Sequence, residues 1–439
     1  MLAQFSQHIN SYFSFLKDKK LLIAISAGID SVVLLHLLHS LKFNISLAHC
    51  NFQLRGKESD KDEAFVRKLA KELKVPIFTQ SFETAGYANK QKLSIQLAAR
   101  ELRYKWFEEV LKINGLDFVL TAHHADDDLE TFLINTTRGT GLDGLTGIPE
   151  RNGNILRPLL PFSRTQIEQY AKEKGITWRE DQTNLEINYL RNKIRHKIIP
   201  VLKEINPALL SSFKTTLENL KGSRQIIDDK ISELSNDLVI KDGNELKLDI
   251  DQITKLSNPK AYLFELLKPY GFTEWNDVRD LLDAQSGKKI LSSTHQLVKD
   301  RKHLLLVAYF EDDKNKGVYK VKKGDLYFHE EDIKMKFTYL TNTHTTINNN
   351  NVAFLDLRNL KFPLTVRKWE KGDYFYPLGM KGKKKLSKYF KDEKISILDK
   401  EKIWLLCSED QVAWVVGKRL DDRFRITDKT KNILKIEKL

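Results

Sequence analysis

Leu21-Leu22-Ile23-Ala24-Ile25, followed by Ser26-Ala27-Gly28-Ile29-Asp30-Ser31, is the stretch that decides the fold. The five apolar residues read as a fully buried strand. After the turn, Val32 to Leu38 stays apolar at helical length. A strand, a tight turn of small and hydroxylated residues, then a helix is the layout of an anion site. The first N–H groups of a helix lack helical acceptors, and its dipole favours negative charge there. Gly28 lets a phosphate approach closely. Ser26 and Ser31 can donate hydroxyl hydrogen bonds, and Asp30 can cap the helix or help hold a magnesium ion. Neither a Walker loop nor the dinucleotide fingerprint is present in the turn.

Working outward, residues 1–16 read as an amphipathic helix with Phe5, Ile9, Phe13 and Leu16 on one face. Further strands are expected at 44–50, 76–82 and 117–122, with helices over 60–74 and 91–114, the latter stopping at Gly115. This alternation predicts an α/β fold with a parallel sheet covered by helices on both faces. Ligands bind such sheets outside the carboxyl ends of the strands. The neighbourhoods of Ser26, His49 and His123 are therefore expected to converge.

The turn resembles the Ser-Gly-Gly-x-Asp-Ser loop of the PP-loop ATP pyrophosphatases, with Ala27 in place of one glycine. The alanine implies a backbone that need not take a glycine-only conformation. Members of that superfamily split ATP to AMP and pyrophosphate.

After the fourth strand comes His123-His124-Ala125-Asp126-Asp127-Asp128-Leu129-Glu130-Thr131. Asp127 and Glu130, or Asp126 and Glu130, can share a helix face. Oxygen ligands beside an ATP site favour magnesium over zinc, while acids in a first helical turn also answer the dipole. The loop from His49 through Arg55-Gly56 can present Arg55. Arg138-Gly139-Thr140-Gly141 is a glycine-rich loop with an arginine at its mouth. Asp181-Gln182-Thr183-Asn184 precedes Tyr189 to His196, where Arg191 and Arg195 align on a helix and can neutralise developing charge.

Composition bounds the rest. The 439 residues suffice for two or three domains. No segment reads as a membrane span or a signal peptide, so a cytoplasmic protein with no membrane partner is expected. Cys50 and Cys407 are the two cysteines, which excludes a disulfide framework or a Cys-x-x-Cys metal pair. Net charge is +14, and Arg367 to Lys391 holds nine Lys/Arg against Glu370 and Asp373. Trp369, Tyr374, Phe375, Tyr376, Tyr389 and Phe390 interleave with them, a mixture suited to phosphates and unstacked bases. An acidic protein partner is the competing reading.

The motifs at Ser26, His49 to Gly56, Ala98 to Tyr104, His123 to Thr131, Arg138 to Leu142 and Arg191 to Arg195 occur in one order. In that order they resemble the tRNA(Ile)-lysidine synthetases, closely over 18–200 and again near 364–426. The resemblance implies that ATP adenylates the carbonyl oxygen at C2 of the wobble cytidine of isoleucine tRNA with a CAU anticodon. Free L-lysine then displaces AMP to give lysidine. It implies ATP binding by Ser26, Ala27, Gly28, Ile29, Asp30 and Ser31, and Mg2+ on Asp30 with Asp127. It implies catalytic parts for Asp127, His124, Arg100 and Arg195, and lysine binding by Asp127 or Glu130 with Arg191. It points to tRNA contacts from Arg367, Lys383, Lys384, Lys385 and Lys388, and it allows a homodimer.

The implied order is an ATP-binding catalytic domain over 1–205, then a helical linker and small helical, substrate-binding domain over 206–310. A basic tRNA-binding domain of mixed α/β class follows over 311–439. The alternatives are a tRNA thiolase of the same superfamily, which needs cysteine chemistry, and a non-catalytic basic RNA-binding protein. An amidotransferase would need a nucleophilic Cys or Ser domain, which is not evident.

Overall fold

The computed structural model describes residues 1–179, 190–309, 317–330, 333–341, 349–380 and 382–439. The sequence motif at 181–184, Tyr189 and Lys381 lie outside the described residues. The chain divides into two compact units, Met1–Asp228 and Asp229–Leu439.

The first unit is built on the expected sheet. Strands β1 (Lys20–Ala24), β2 (Asn44–Asn51), β3 (Ile77–Ser81), β4 (Phe118–Leu120), β5 (Arg151–Asn152) and β6 (Ile155–Leu156) stand in the order β3-β2-β1-β4-β6-β5. All neighbours are parallel except the β5–β6 hairpin. The pleat sends alternate residues of β1 to opposite faces. Leu21 and Ile23 join a core with α1 (Leu2–Tyr12), α2 (Ile29–Ser40) and α8 (Arg164–Glu173). Leu22 joins a second core with Phe107, Val110 and Leu111 of α5 (Ile95–Asn114). Both faces of the sheet are thus covered, which is why β1 reads as an unbroken apolar run.

Two element bounds differ from expectation here. The helix expected over 91–114 is α5, which starts four residues later at Ile95, and a further helix, α4 (Thr84–Gln91), precedes it. Lys92 at φ +55 ends α4, and Ser94 Oγ accepts the Leu97 N–H to start α5. The strand expected over 44–50 is present and runs one residue further, so Asn51 is strand rather than loop. Phe213 and Leu217 of the connecting helix α11 (Leu209–Leu238) bury against Leu129, Ile194 and Ile199 of the first unit.

The second unit begins with a module that the sequence suggests is helical. It instead carries a five-stranded antiparallel sheet, Val239–Asp242, Glu245–Asp249, His303–Ala308, His295–Asp300 and Lys289–Leu291 in spatial order. Helices Pro259–Leu267 and Trp275–Asp280 contribute Leu263, Leu267 and Val278 to its core. The hairpin expected in 286–307 is present as His295–Asp300 paired with His303–Ala308. Beyond it, a five-stranded and a four-stranded antiparallel sheet share a core of Val366, Trp414, Phe337 and Ile436. Among the described residues no helix is long and apolar enough to cross a membrane.

Candidate active site

The turn after β1 is closed by its own hydroxyls. Ser31 Oγ donates to the Gly28 carbonyl at 2.9 Å and accepts the Ser26 N–H at 3.1 Å. Ser26 Oγ accepts the Gly28 N–H at 3.3 Å. Ala27 sits at φ +73, in the left-handed region, so its being alanine does not signal ordinary backbone. The Arg179 N–H donates to the Ala27 carbonyl at 3.0 Å, which fixes the turn from outside. Arg179 and Arg55 both bind Asp62 on α3 (Lys57–Leu73), so Arg55 braces this rim. Gly28 has φ −71 as helix N-cap; what it supplies is the missing Cβ rather than a special conformation.

The histidine–acid segment meets the turn, as the strand order requires. His124 is the N-cap of α6 (Ala125–Thr137), and its backbone N–H donates to Asp127 Oδ2 at 3.1 Å. Its buried Nε2 lies 3.7 Å from Asp30 Oδ1 and 3.4 Å from Asp127 Oδ2. One imidazole nitrogen therefore stands between the carboxylate of the first turn of α2 and that of the first turn of α6. His49 adds Nδ1 to the Ile25 carbonyl at 2.9 Å from beneath.

The acids have separate tasks. Asp126 accepts the Arg164 N–H at 2.8 Å and the Lys203 ammonium at 2.7 Å, so it ties α6 to α8 and α10 (Ile199–Ile205). Asp128 accepts the Ile148 N–H at 2.5 Å. Neither shares a partner with Glu130. Glu130 is 1% exposed and receives Arg195 Nε at 2.5 Å and Nη2 at 2.9 Å. Arg195 Nη2 also reaches Asp127 Oδ1 at 3.1 Å. Arg191 donates to Thr131 Oγ1 at 2.8 Å and lies 3.6 Å from Glu130 Oε2. Arg191 ends in α9 (Leu190–Lys193) and Arg195 in the π turn that follows, both turned onto α6. With its carboxylate committed to Arg195, Glu130 holds arginines rather than presenting an open acid. Arg100 stands on α5. Its guanidinium lies 4.8 Å from the Tyr104 ring on α5, and no ion pair among the described residues joins it to Asp30 or Asp127.

Burial pushes the Asp30 carboxyl above its usual range and Asp127 adds to the push, against His124 and Arg164. Burial likewise raises Glu130, against Arg195. Crowded carboxylates that resist ionisation suit a cation. Two carboxylates on either side of His124 fit magnesium, which takes one or two such ligands and fills its shell with water or phosphate oxygens. Among the described residues no group of three or more His, Cys, Asp or Glu is disposed to hold a metal by itself.

The residue that sequence reasoning misses is Arg164. Its Nη1 donates to both oxygens of Asp30, at 2.8 and 2.7 Å, across 134 positions of sequence. No local pattern signals this; it follows from α8 packing beside α2.

In the second unit the basic segment is reinterpreted. Arg367 is paired two-pronged with Asp373, at 2.8 Å for each bond, and is largely covered, so it supports the fold rather than a ligand. Phe375, Tyr389 and Phe390 are core residues, and Trp369 donates to the Lys400 carbonyl. Of the six aromatics Tyr374 alone is exposed, with Lys383 over its ring at 5.1 Å. Lys384 pairs with Asp392 at 2.8 Å. Lys383, Lys385 and Lys388 are exposed and line one basic cavity of about 560 Å³ with Tyr374 and Met380.

Comparison with known proteins follows the same division. Residues 1–202 match the model of a PP-loop domain, 241–309 that of a TilS substrate binding domain, and 364–437 that of a TilS substrate C-terminal domain. The chain is 42% identical over 438 residues to the tRNA(Ile)-lysidine synthase of Parabacteroides distasonis, covering 99% of each chain. The chain belongs to the tRNA(Ile)-lysidine synthase family. The synthase of Bacteroides thetaiotaomicron is 39% identical over 98% of this chain and 97% of its own. That of Porphyromonas gingivalis is 36% identical over 94% and 92%. The match to the synthase family thus covers the sheet-end site, the five-stranded module and the basic segment alike.

Proposed function

We propose that the protein joins free L-lysine to C2 of the wobble cytidine of isoleucine tRNA with a CAU anticodon, converting ATP to AMP and pyrophosphate. The observation that carries this reading is His124 Nε2 lying between Asp30 and Asp127 at the carboxyl ends of β1 and β4. It joins a phosphate turn to a charged cluster able to handle an amino acid.

The triphosphate rests on the first-turn N–H groups of α2, with Ser26 and Ser31 beside it. The cytidine O2 attacks the α-phosphorus, forming an O–P bond as pyrophosphate leaves with the electrons of the broken P–O bond. The ε-amine of lysine then attacks C2, AMP departs with O2, and His124 or the Asp127 carboxylate takes the amine proton. Asp30 and Asp127 would hold magnesium, which supplies charge neutralisation on the polyphosphate. Arg195 is fixed by Glu130 and Asp127 to face developing negative charge. Arg191, half exposed, offers donors for the lysine carboxylate. Lys383, Lys385 and Lys388 contact tRNA phosphates.

A thiolase reading has no support in the thiols. Burial pushes Cys50 up to about 12 and Cys407 up to about 11, so both stay protonated and unreactive. Incubation with ATP and labelled lysine is the test. Label should enter isoleucine tRNA with a CAU anticodon and not methionine tRNA with the same anticodon. Label in neither removes the reading.

A further inference from the structure

Arg164 holds Asp30 in an arrangement that nucleotide must disturb. Nη1 donates to both Asp30 oxygens, and Nε donates to Glu168 Oε1 at 2.7 Å, which anchors the guanidinium at the mouth of the β1–α2 turn. Its side chain is 40% exposed and that of Asp30 27%, so the pair faces the opening rather than the core. Among the described residues Nη2 has no hydrogen-bond partner. The backbone beneath is firm, because the Arg164 N–H is held by Asp126, itself bound by Lys203. The anchor is rigid, one donor is open, and the occupied carboxylate stands where magnesium and polyphosphate are expected.

We propose that Arg164 is an exchangeable counter-ion for the nucleotide polyphosphate. It pairs with Asp30 in the free protein and passes to the β- and γ-phosphates when ATP binds, releasing Asp30 to the cation. The inference rests on the reading of the turn as the ATP site. Its physical basis is that a guanidinium binds carboxylate and phosphate with the same planar donor set. A polyphosphate carries more charge than one carboxylate, so the exchange favours the bound state. Without the exchange, Asp30 would confront the incoming phosphates with like charge, or magnesium would have to displace an intact ion pair. Binding couples to the switch because the ligand contacts the guanidinium in one state and not in the other.

Calorimetric titration of the full-length protein with ATP, and separately with AMP, tests this in magnesium and in EDTA. Arg164→Gln is expected to weaken ATP binding about tenfold or more in both buffers while leaving AMP binding within about twofold. Arg164→Lys should recover part of the ATP affinity. The nucleotide-free Arg164→Gln protein should also bind Mn2+ more tightly than the wild type, since Asp30 has lost its competitor. Equal loss of ATP and AMP binding would mark Arg164 as a structural ion pair and overturn the proposal, as would unchanged ATP affinity. If the wild type itself binds no ATP, the reading of the turn falls and this inference with it.

Discussion

His123 shows how a single residue couples the site to stability. Its Nδ1 lies 2.9 Å from Thr121 Oγ1, and burial pushes its pKa down to about 4, with Asp127 pulling back and Arg157 adding to the push. An unfolded histidine takes its proton near pH 6.5. The folded-state value is the lower one, so the unfolded chain binds more protons between these limits. The stability held by neutral His123 is complete above about pH 6.5 and is lost as pH falls toward 4. The guanidinium midpoint should therefore drop over this range, and His123→Asn should flatten the drop. An unchanged slope in the variant would refute the assignment. At this scale the sequence conveys residue types but not partners. Asp30, His124 and Asp127 were legible because strand order alone brings their loops together. Arg164 and the positive φ of Ala27 were not, because each depends on packing from α8 or on a hydrogen bond from Arg179.

Elements were legible where apolar period and caps agreed. β1, α2 and the Gly115 stop follow from the residues themselves. α4 was missed and α5 was begun four residues early, because a cap at Ser94 looks like any serine until the chain turns there. The first half of α11 was read as a connector, yet Phe213 and Leu217 bury against α6 and the π turn. Leu217→Ala should then destabilise the first unit by roughly 2–5 kcal/mol in guanidinium unfolding followed on residues 1–228. A fragment ending at 205 should expose that apolar surface and unfold at lower denaturant than one ending at 228. Equal midpoints for the two fragments would show that α11 adds nothing to this core.

For the molecule as a whole, net charge suggests a polyanionic partner, while the basic segment offers fewer aromatic faces than its sequence suggests. Three of the six interleaved aromatics are interior, since a cluster of lysines on small elements still needs a core beneath it. The remaining device is electrostatic, so affinity for isoleucine tRNA should fall steeply with salt. Replacing Lys383, Lys385 and Lys388 together by Gln should lower the slope of log K against log salt by about 2 to 3 and leave ATP binding unchanged. A slope equal to that of the wild type would remove these lysines from the tRNA surface.

The most direct test of the central claim is rapid-quench measurement of pyrophosphate with lysine withheld. The protein is mixed with magnesium, ATP and isoleucine tRNA bearing the CAU anticodon. The joined phosphate turn and histidine–acid cluster predict a burst near one pyrophosphate per tRNA-bound active site. The burst should be lost in Asp30→Asn and strongly slowed in Asp127→Asn. No burst from the wild type, or an equal burst from all three proteins, would contradict the account.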